Sequence, residues 1–353
     1  ARQLGYVSGF LTQYLSRHPG VYGETSILGV MPDWNPAEII GASPRPLASS
    51  LYRHVITDNI WLQARQEMGY FTPALSNLMI IIGHHPYIDT RLSFNSFLPN
   101  GICPITAEKL INAWTSRLQH NPQYHDKVEF EIAHTCVDFS FKTTFEQRYP
   151  NLLTESEFDI FYQLLSQLTI NAIIGNGAGS ISSALADIEK LAQLQIHKDY
   201  KKSGSNLAAV KTLLDDTKRL GTKAFSIVAR HGFIAETLLK SACFQHAFSE
   251  ERLQAWKQSI ETVTSQLTQN YAKVMQGELA LNAFLVQFGH LRPSTYDITS
   301  LRYDERSDLF TQQASFIEPN SDNDTKNSHE FTWQTAELDA LQTQLEKQHF
   351  PVT

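Results

Sequence analysis

The sequence has few cysteines, no basic segment and no long apolar run. Its three cysteines in 353 residues lie far apart and form no CxxC or Cys/His metal spacing, which predicts buried free thiols in a reducing cytosol. No run of Lys and Arg exceeds two residues and the formal net charge is -7, so no nucleic-acid partner is expected. The longest apolar run, residues 78–82, is far shorter than the roughly 20 residues of a membrane helix, so no membrane partner is expected either. These absences predict a cytoplasmic protein with an acidic surface.

Several catalytic motifs are also missing. The sequence contains no GxGxxG, GxxxxGK(S/T), HExxH or GxSxG, and no two glycines are adjacent. Its glycine-rich stretch, residues 175–179, precedes a helical pattern, where a helix N-terminus could bind a phosphate. The stretch follows another helical pattern rather than a strand, however, and this favours a turn that breaks the helix. No metal site is predicted.

The apolar pattern is mainly helical, with a change of period in the first third of the chain. Thr154 and Glu157 form a capping-box pattern ahead of an apolar helical stretch. Residues 128–132 and 137–141 alternate apolar and polar side chains, which predicts two half-buried antiparallel strands, and 87–97 is a further candidate strand. Further helical patterns cover 105–120, 180–196, 206–219, 222–247, 250–275, 278–288 and 335–348. Together they predict an α+β fold, mainly helical, with a small antiparallel sheet in the N-terminal third.

Polar residues gather beside aromatic ones in four segments. These segments are 31–52, 89–97, 125–130 and 288–305. Each has a purely structural explanation: Asp33 and Asn35 could cap a turn, Arg91 could form an ion pair with Asp89 or Asp126, and 125–127 could be a turn.

The fourth segment is the richest in reactive groups. A helix predicted to end at Gly289 is followed at once by His290 and Arg292, and then by more Tyr, Asp, Arg and Glu. Arginine offers a planar fork to a carboxylate or phosphate, and histidine can transfer a proton near neutral pH. Such groups on a loop at a helix end favour contact with a substrate.

The motifs in these segments resemble one family. DWNPAEIIG and PLASSLY (33–41 and 46–52), RLSFNSF (91–97), HDKVEF (125–130) and GHLRPSTYDI with RYDE (289–298 and 302–305) are similar to the middle region of phosphoenolpyruvate-synthase/pyruvate-phosphate-dikinase-like phosphotransferases. The most similar branch includes the L-glutamine kinase of capsular phosphoramidate biosynthesis. The last motif also resembles the GHRGPGE element of rifampicin phosphotransferases, with Leu291 inserted.

This resemblance implies a particular division of labour. Family members carry an ATP-grasp domain, a swivelling domain with a phosphorylatable histidine, and a part that binds the acceptor; ATP phosphorylates the histidine, which then phosphorylates the acceptor, and AMP and phosphate are released. The chain lacks the GGxxSH type of phosphohistidine motif and an ATP-grasp segment. It also begins with Ala1 rather than Met, although removal of an initiator Met would leave the same residue. We therefore expect a piece of a longer enzyme, inactive alone: a linker helix (1–30), an acceptor-binding domain (31–311), and a polar linker with a C-terminal helix (312–353). ATP and Mg²⁺ are expected only in the full-length protein, and the ATP-grasp and phosphohistidine domains are the expected partners.

We predict the following roles for an acceptor site, with L-glutamine as the first candidate acceptor. His290 is the candidate acid/base, oriented by Asp297 or Glu305, and Arg292 is the cation beside it. The candidate substrate-binding residues are Asp33, Asn35, Arg91, Asn95, Tyr296, Asp297, Arg302 and Glu305, with Arg91, Arg292 and Arg302 as clamps for an anionic group. The imidazole and guanidinium groups that follow Gly289 are expected to converge with the early region 33–36 on one small cavity. Pyruvate, an antibiotic or another small acceptor, and a non-catalytic helical docking scaffold, are the alternatives.

Overall fold

The chain is mainly helical, with one small antiparallel sheet near its N-terminus, which confirms the predicted fold class. The structure, a computed structural model, describes residues 2–197, 205–293, 296–297, 299–306 and 331–351. The helices are α1 (Arg2–Leu15), α2 (Pro36–Ile39), α3 (Pro46–Tyr52), α4 (Ile60–Glu67), α5 (Thr90–Asn95), α6 (Pro104–His120), α7 (Phe141–Arg148), α8 (Glu155–Ile174), α9 (Ile181–His197), α10 (Asn206–Asp216), α11 (Lys223–Phe244), α12 (Glu250–Ser259), α13 (Val263–Met275), α14 (Leu281–Phe288) and α15 (Thr335–Lys347). The strands are β1 (Leu28–Gly29), β2 (Met79–Ile82) and β3 (His85–Asp89).

Contacts divide the described residues into two compact units. The first lies within Ala1–Gln245 and Gln344–Thr353, and the second within His246–Thr343. The predicted ranges 1–30, 31–311 and 312–353 remain predictions about domain function, and the predicted linker at 312–330 lies outside the described residues.

The sheet brings two polar segments of the first unit together. Its strand order is β1-β3-β2, with Leu28 opposite Asp89 and Met79 opposite Ile88. At the end of β3 the Asp89 side chain accepts a hydrogen bond from the backbone N–H of Leu92 at 3.2 Å and so caps α5. Because these strands are antiparallel, the chain leaves β1 and β3 in opposite directions. The 31–39 segment then meets α5 through a side-chain contact, in which Ser93 Oγ donates to Asp33 Oδ2 at 2.9 Å.

The core of the first unit fixes α4 and α11 against each other. Ala64 of α4 and Met68, which caps its C-terminus, pack with Ala224, Ile227 and Ile234 of α11, beside residues of α8 and α9. Fully burying an aliphatic side chain stabilises a fold by about 1.5–3 kcal/mol, so this stripe along α11 holds the helix firmly in place. The polar residues on these two helices are therefore also fixed in position.

Two predicted strands are wrong. Residues 128–132 form a π-helical turn, closed by a hydrogen bond from the Ala133 N–H to the Val128 carbonyl at 2.8 Å. The buried side chains of Val128 and Ile132 are four residues apart, which is a helical spacing, and five residues are too few to separate that period from alternation.

Residues 137–141 pair with side chains rather than with a strand. The Val137 N–H donates to Thr169 Oγ1 at 2.9 Å, and the Phe139 N–H donates to Ser241 Oγ at 3.2 Å. Side chains of α8 and α11 thus accept hydrogen bonds from the backbone of this segment, whose apolar side chains are buried. Of the third candidate strand, 87–97, residues 87–89 belong to β3 and residues 90–95 form α5.

The predicted helix boundaries agree well where caps are visible in the sequence. Thr154 and Glu157 form the predicted capping box at the start of α8. The glycine-rich stretch 175–179 separates α8 from α9, as a helix-breaking turn should. The predicted helix 250–275 is instead α12 and α13, because Thr262 caps a new helix start.

Candidate functional site

The first unit contains a cavity of about 480 Å³ between the 31–39 segment, the π-helical turn and α11. This volume lies within the range of small-molecule sites, roughly 300–1,000 Å³. The charged lining residues are Asp33, Glu38, Arg65, Asp126, Glu129 and Arg230. Trp34, Phe225 and Phe233 are the aromatic ones. The first and third polar segments of the sequence therefore meet at one cavity.

A buried ion pair joins Asp33 to Arg65. Arg65 Nη2 donates to both carboxylate oxygens of Asp33, at 2.9 and 2.8 Å, and the side chains are only 5% and 6% exposed. Ser93 Oγ donates to Asp33 Oδ2 at 2.9 Å, and Arg65 Nη1 donates to Ser96 Oγ. The second polar segment thus holds the ion pair through Ser93 and Ser96. The Asp33 carboxylate accepts three hydrogen bonds in total.

The backbone beside this ion pair is strained. Asp33, Trp34 and Asn35 all have positive φ angles, of 41°, 38° and 30°, a region that costs non-glycine residues of order 1–3 kcal/mol each. Contacts hold the strain in place: the Tyr52 hydroxyl donates to the Trp34 carbonyl, and Asn35 Oδ1 caps α2 by accepting from the Glu38 N–H at 3.1 Å. Asn35 thus has the capping role that was its structural explanation, and its role in substrate binding stays a prediction.

Trp34 forms part of the cavity wall in this strained conformation. Its ring lies 5.9 Å from that of Phe225 on α11, centroid to centroid. Because such strain persists only where surrounding contacts enforce it, the arrangement marks this wall as a candidate binding surface.

A second buried pair, Glu129 and Arg230, is more loosely connected. Arg230 Nη1 lies 3.6 Å from Glu129 Oε1, beyond hydrogen-bond distance, and the side chains are 4% and 8% exposed. Arg230 Nη2 donates to Thr135 Oγ1 at 3.0 Å, while its Nε has no hydrogen-bond partner among the described residues. Burial raises the pKa of Glu129 above its usual range; the positive charge of Arg230 opposes this rise and the negative charge of Asp33 adds to it.

Phe97 lies between the two arginines. The guanidinium carbon of Arg65 is 4.4 Å from its ring centroid, and that of Arg230 is 5.2 Å away. Cation–π contacts of this kind orient each guanidinium while leaving its N–H edges free to donate.

Arg91 and Asn95, predicted to bind substrate, are fully buried and do not line the cavity. Arg91 donates to backbone carbonyls of the 14–23 segment, including that of Ser16 at 2.8 Å. Asn95 accepts from the Tyr22 N–H at 2.8 Å and donates to the Tyr22 carbonyl at 2.9 Å. Both side chains fasten that segment to α5, because buried carbonyls need donors and these two side chains supply them.

The fourth polar segment belongs to the second unit. His290 is exposed, Arg292 is half-buried, and burial raises the pKa of the half-buried Tyr296. The Asp297 carboxylate accepts from the Thr299 N–H at 2.9 Å and hydroxyl at 2.7 Å. Ser294, Thr295 and Ile298, within the same motif, lie outside the described residues.

Arg302 is held by its own neighbours. Its Nε and Nη2 donate to the two oxygens of Asp304 at 2.9 and 2.6 Å, and Glu305 accepts from the Arg302 backbone N–H at 2.9 Å. The predicted convergence of His290 and Arg292 with Asp33 and Asn35 on one cavity stays a prediction, since the two pairs belong to different units.

Arg65, Glu129 and Arg230 were not predicted as site residues. A sequence signal exists for the arginines: Arg65 is four residues after the buried Trp61 of α4, and Arg230 interrupts the apolar stripe of α11 between Ile227 and Ile234. A charged residue on an apolar helical face needs a partner, so each indicates a buried polar site.

The residues that the structure describes form neither a cluster of metal ligands nor a membrane-spanning helix. Within the described ranges no three His, Cys, Asp or Glu side chains gather as metal ligands would. The same residues include no helix with the length and apolar character to cross a bilayer.

Comparisons of the chain with family models, curated proteins and solved structures found no significant match.

Proposed function

We propose that this chain is the acceptor-binding region of an ATP-dependent phosphotransferase of the phosphoenolpyruvate-synthase type, and that its cavity binds a small polar acceptor such as L-glutamine. The observation that carries the proposal is the cavity of about 480 Å³ in which two arginines, four carboxylates and three aromatic rings meet. In this proposal ATP, Mg²⁺ and the phosphorylatable histidine belong to other domains of a cytoplasmic parent enzyme.

The lining suits an acceptor that carries both a negative and a positive group. Phosphoryl transfer depends mainly on positioning and on charge stabilisation, so an acceptor site needs fixed cations and hydrogen-bonding groups. Arginine suits a carboxylate, and the exposed carboxylates of Glu38 and Asp126 suit an ammonium group. An antibiotic acceptor would favour a larger and more apolar cavity, so the dimensions and charges favour a small metabolite.

Calorimetric titration of the chain with L-glutamine and with pyruvate tests the proposal. We expect heat of binding from at least one of them at millimolar concentration. Phe225→Ala should weaken that binding about tenfold, because burying a ring against a ligand contributes roughly 1.5 kcal/mol.

A matched variant on the same helix controls for general effects of the substitution. Phe225 and Phe244 are 60% and 66% exposed on α11, and Phe244 does not line the cavity. Phe244→Ala should leave the affinity unchanged. No heat with either compound, or equal losses in the two variants, would contradict the proposal.

A further inference from the structure

The two arginines of the cavity differ in their remaining capacity to donate hydrogen bonds. Arg65 is engaged by the Asp33 carboxylate and by Ser96. Arg230 is as deeply buried, but its Nε has no partner among the described residues and its Nη1 is 3.6 Å from the nearest oxygen of Glu129. A buried guanidinium donor without an acceptor is costly. An oxygen of a bound ligand at Nη1, the donor nearest Glu129, would give this guanidinium a closer acceptor.

The partner with the required chemistry is an oxyanion. The planar fork of arginine binds carboxylate and phosphoryl oxygens best, through charge-assisted hydrogen bonds. Glu129 already carries a carboxylate close to this position, so an arriving anion and an ionised Glu129 would repel each other at short range.

We propose that Arg230 is the oxyanion-binding group of the cavity and that Glu129 takes up one proton from solvent when the oxyanion binds. This inference rests on the proposed function, because it names the part of the acceptor that the cavity holds. In the bound state Arg230 is paired with the ligand anion and Glu129 is a neutral carboxylic acid. The net charge is therefore zero both for Arg230 with Glu129 in the free protein and for Arg230, Glu129 and a singly charged ligand in the complex.

The surrounding charges favour this exchange. The charges that act on Glu129 are those of Arg230, Asp33 and Arg65. The charge of Glu129 in turn acts on Tyr70, and Asp126 and Glu38 are further carboxylates of the cavity lining. Burial already raises the pKa of Glu129, and a ligand anion beside it raises that pKa further. Burial also raises the pKa of Tyr70 to about 12, so this phenol stays neutral throughout.

The linkage sets the sign of the pH dependence. A complex that binds one proton more than its free components becomes weaker as pH rises. At a pH where Glu129 is ionised in the free protein, the affinity for the anion should fall by up to about tenfold per pH unit.

Titration calorimetry of the 353-residue chain in two buffers of different ionisation enthalpy, at one pH, measures the proton uptake directly. The probes are L-glutamine, pyruvate and inorganic phosphate, and the matched control is L-glutaminamide, which carries an amide in place of the α-carboxylate. We expect uptake of up to one proton per bound anion, and weaker binding without uptake for the amide.

Two substitutions assign the effect to the pair. Glu129→Gln should bind the anion at least as tightly as the unmodified chain at neutral pH, with no proton uptake and little pH dependence. Arg230→Gln should weaken anion binding by roughly tenfold to a hundredfold, since a charged hydrogen bond contributes about 1.5–3 kcal/mol. The two-buffer measurement needs no variant, so it stands even if one of these chains folds poorly.

The outcomes separate this inference from the proposed function. Binding of L-glutamine with no buffer dependence, and unchanged in Glu129→Gln, overturns the proton-linked site and leaves the acceptor cavity. Proton-linked binding of pyruvate or phosphate without binding of L-glutamine supports the site and overturns that acceptor. If none of the probes binds, both are overturned.

Discussion

Two arginine–aspartate pairs with similar contact distances lie in different units and in different surroundings. Arg65 and Asp33 of the first unit approach to 2.8 Å with side chains 5% and 6% exposed. Arg302 and Asp304 of the second unit approach to 2.6 Å with side chains 40% and 33% exposed. Contact distance is therefore a poor guide to what an ion pair contributes, because water screens the second pair and not the first.

The pairs also differ in what they connect. Asp33 and Arg65 are 32 residues apart and join the strained 33–35 segment to α4. Arg302 and Asp304 are two residues apart, so their contact constrains one turn. Removing one partner of a buried pair leaves a buried charge unpaired and strongly destabilises the fold, whereas an exposed local pair can be lost with little change in stability.

Replacing each aspartate by asparagine is the strongest test of this comparison. Asp33→Asn should lower the free energy of unfolding by about 3–5 kcal/mol, because it leaves the Arg65 charge buried without its partner. Asp304→Asn should change it by no more than about 1 kcal/mol. Urea unfolding at pH 7, followed by circular dichroism, measures both; losses of equal size would refute the comparison.

A buried titratable group of the first unit gives a smaller, pH-dependent effect. His134 packs against Phe141, Phe145 and Tyr149, with ring centroids 5.2–5.9 Å apart, and burial lowers its pKa to about 3 from an ordinary 6.5. The unfolded chain therefore binds a proton that the folded chain refuses, and stability falls as pH drops from 6.5 towards 3. At pH 5 this contribution is about 2 kcal/mol relative to pH 7.

His134→Phe should remove that loss of stability. Burial raises the pKa of the nearby Asp138 to about 6, which acts in the opposite direction because the folded chain then holds a proton more tightly as pH falls below 6. Asp138 is present in both chains, so its contribution cancels when the free energy of unfolding of the unmodified chain is subtracted from that of the variant. Urea unfolding at pH 7 and pH 5 gives the difference; the exposed His120→Gln is the control, and an unchanged pH dependence in His134→Phe would contradict the burial argument.

The smallest predicted effect concerns an exposed contact that is nevertheless stabilising. Thr154 Oγ1 accepts from the Glu157 N–H at 3.3 Å, and Glu157 Oε2 accepts from the Thr154 N–H at 2.8 Å, at the first turn of α8. Thr154→Ala should cost about 1 kcal/mol, and Thr154→Ser should restore most of it. If thermal unfolding did not distinguish the two variants, the hydroxyl cap would have no role.

Local signals in the sequence were enough for most of the helical framework. The Thr154 capping box and the glycine-rich break at 175–179 are both where they were predicted, because a cap or a breaker acts on its immediate neighbours. The prediction of strands at 128–132 and 137–141 was wrong because the backbone hydrogen bonds of these short alternating stretches are made in other ways. Residues 128–132 form a π-helical turn, and the backbone of 137–141 donates to side chains of α8 and α11.

The candidate site was predictable only in part. Asp33 and Asn35 were predicted from a dense polar segment and do line the cavity. Arg91 came from an equally dense segment, yet it binds backbone carbonyls in the core. Residue type and local density are the same in both cases, and only the environment separates a lining residue from a structural one.

The sequence by itself determined the helical framework, its caps and the approximate place of the polar segments, because these depend on residues within one or two turns of each other. The tertiary structure alone decided that Arg65 meets Asp33 and that Arg230, whose Thr135 partner is 95 residues away, lies 3.6 Å from Glu129 in the lining of a cavity. Burial and pairing arise when distant segments pack together. Those two properties decide whether a charged side chain stabilises the fold or stays available to a ligand.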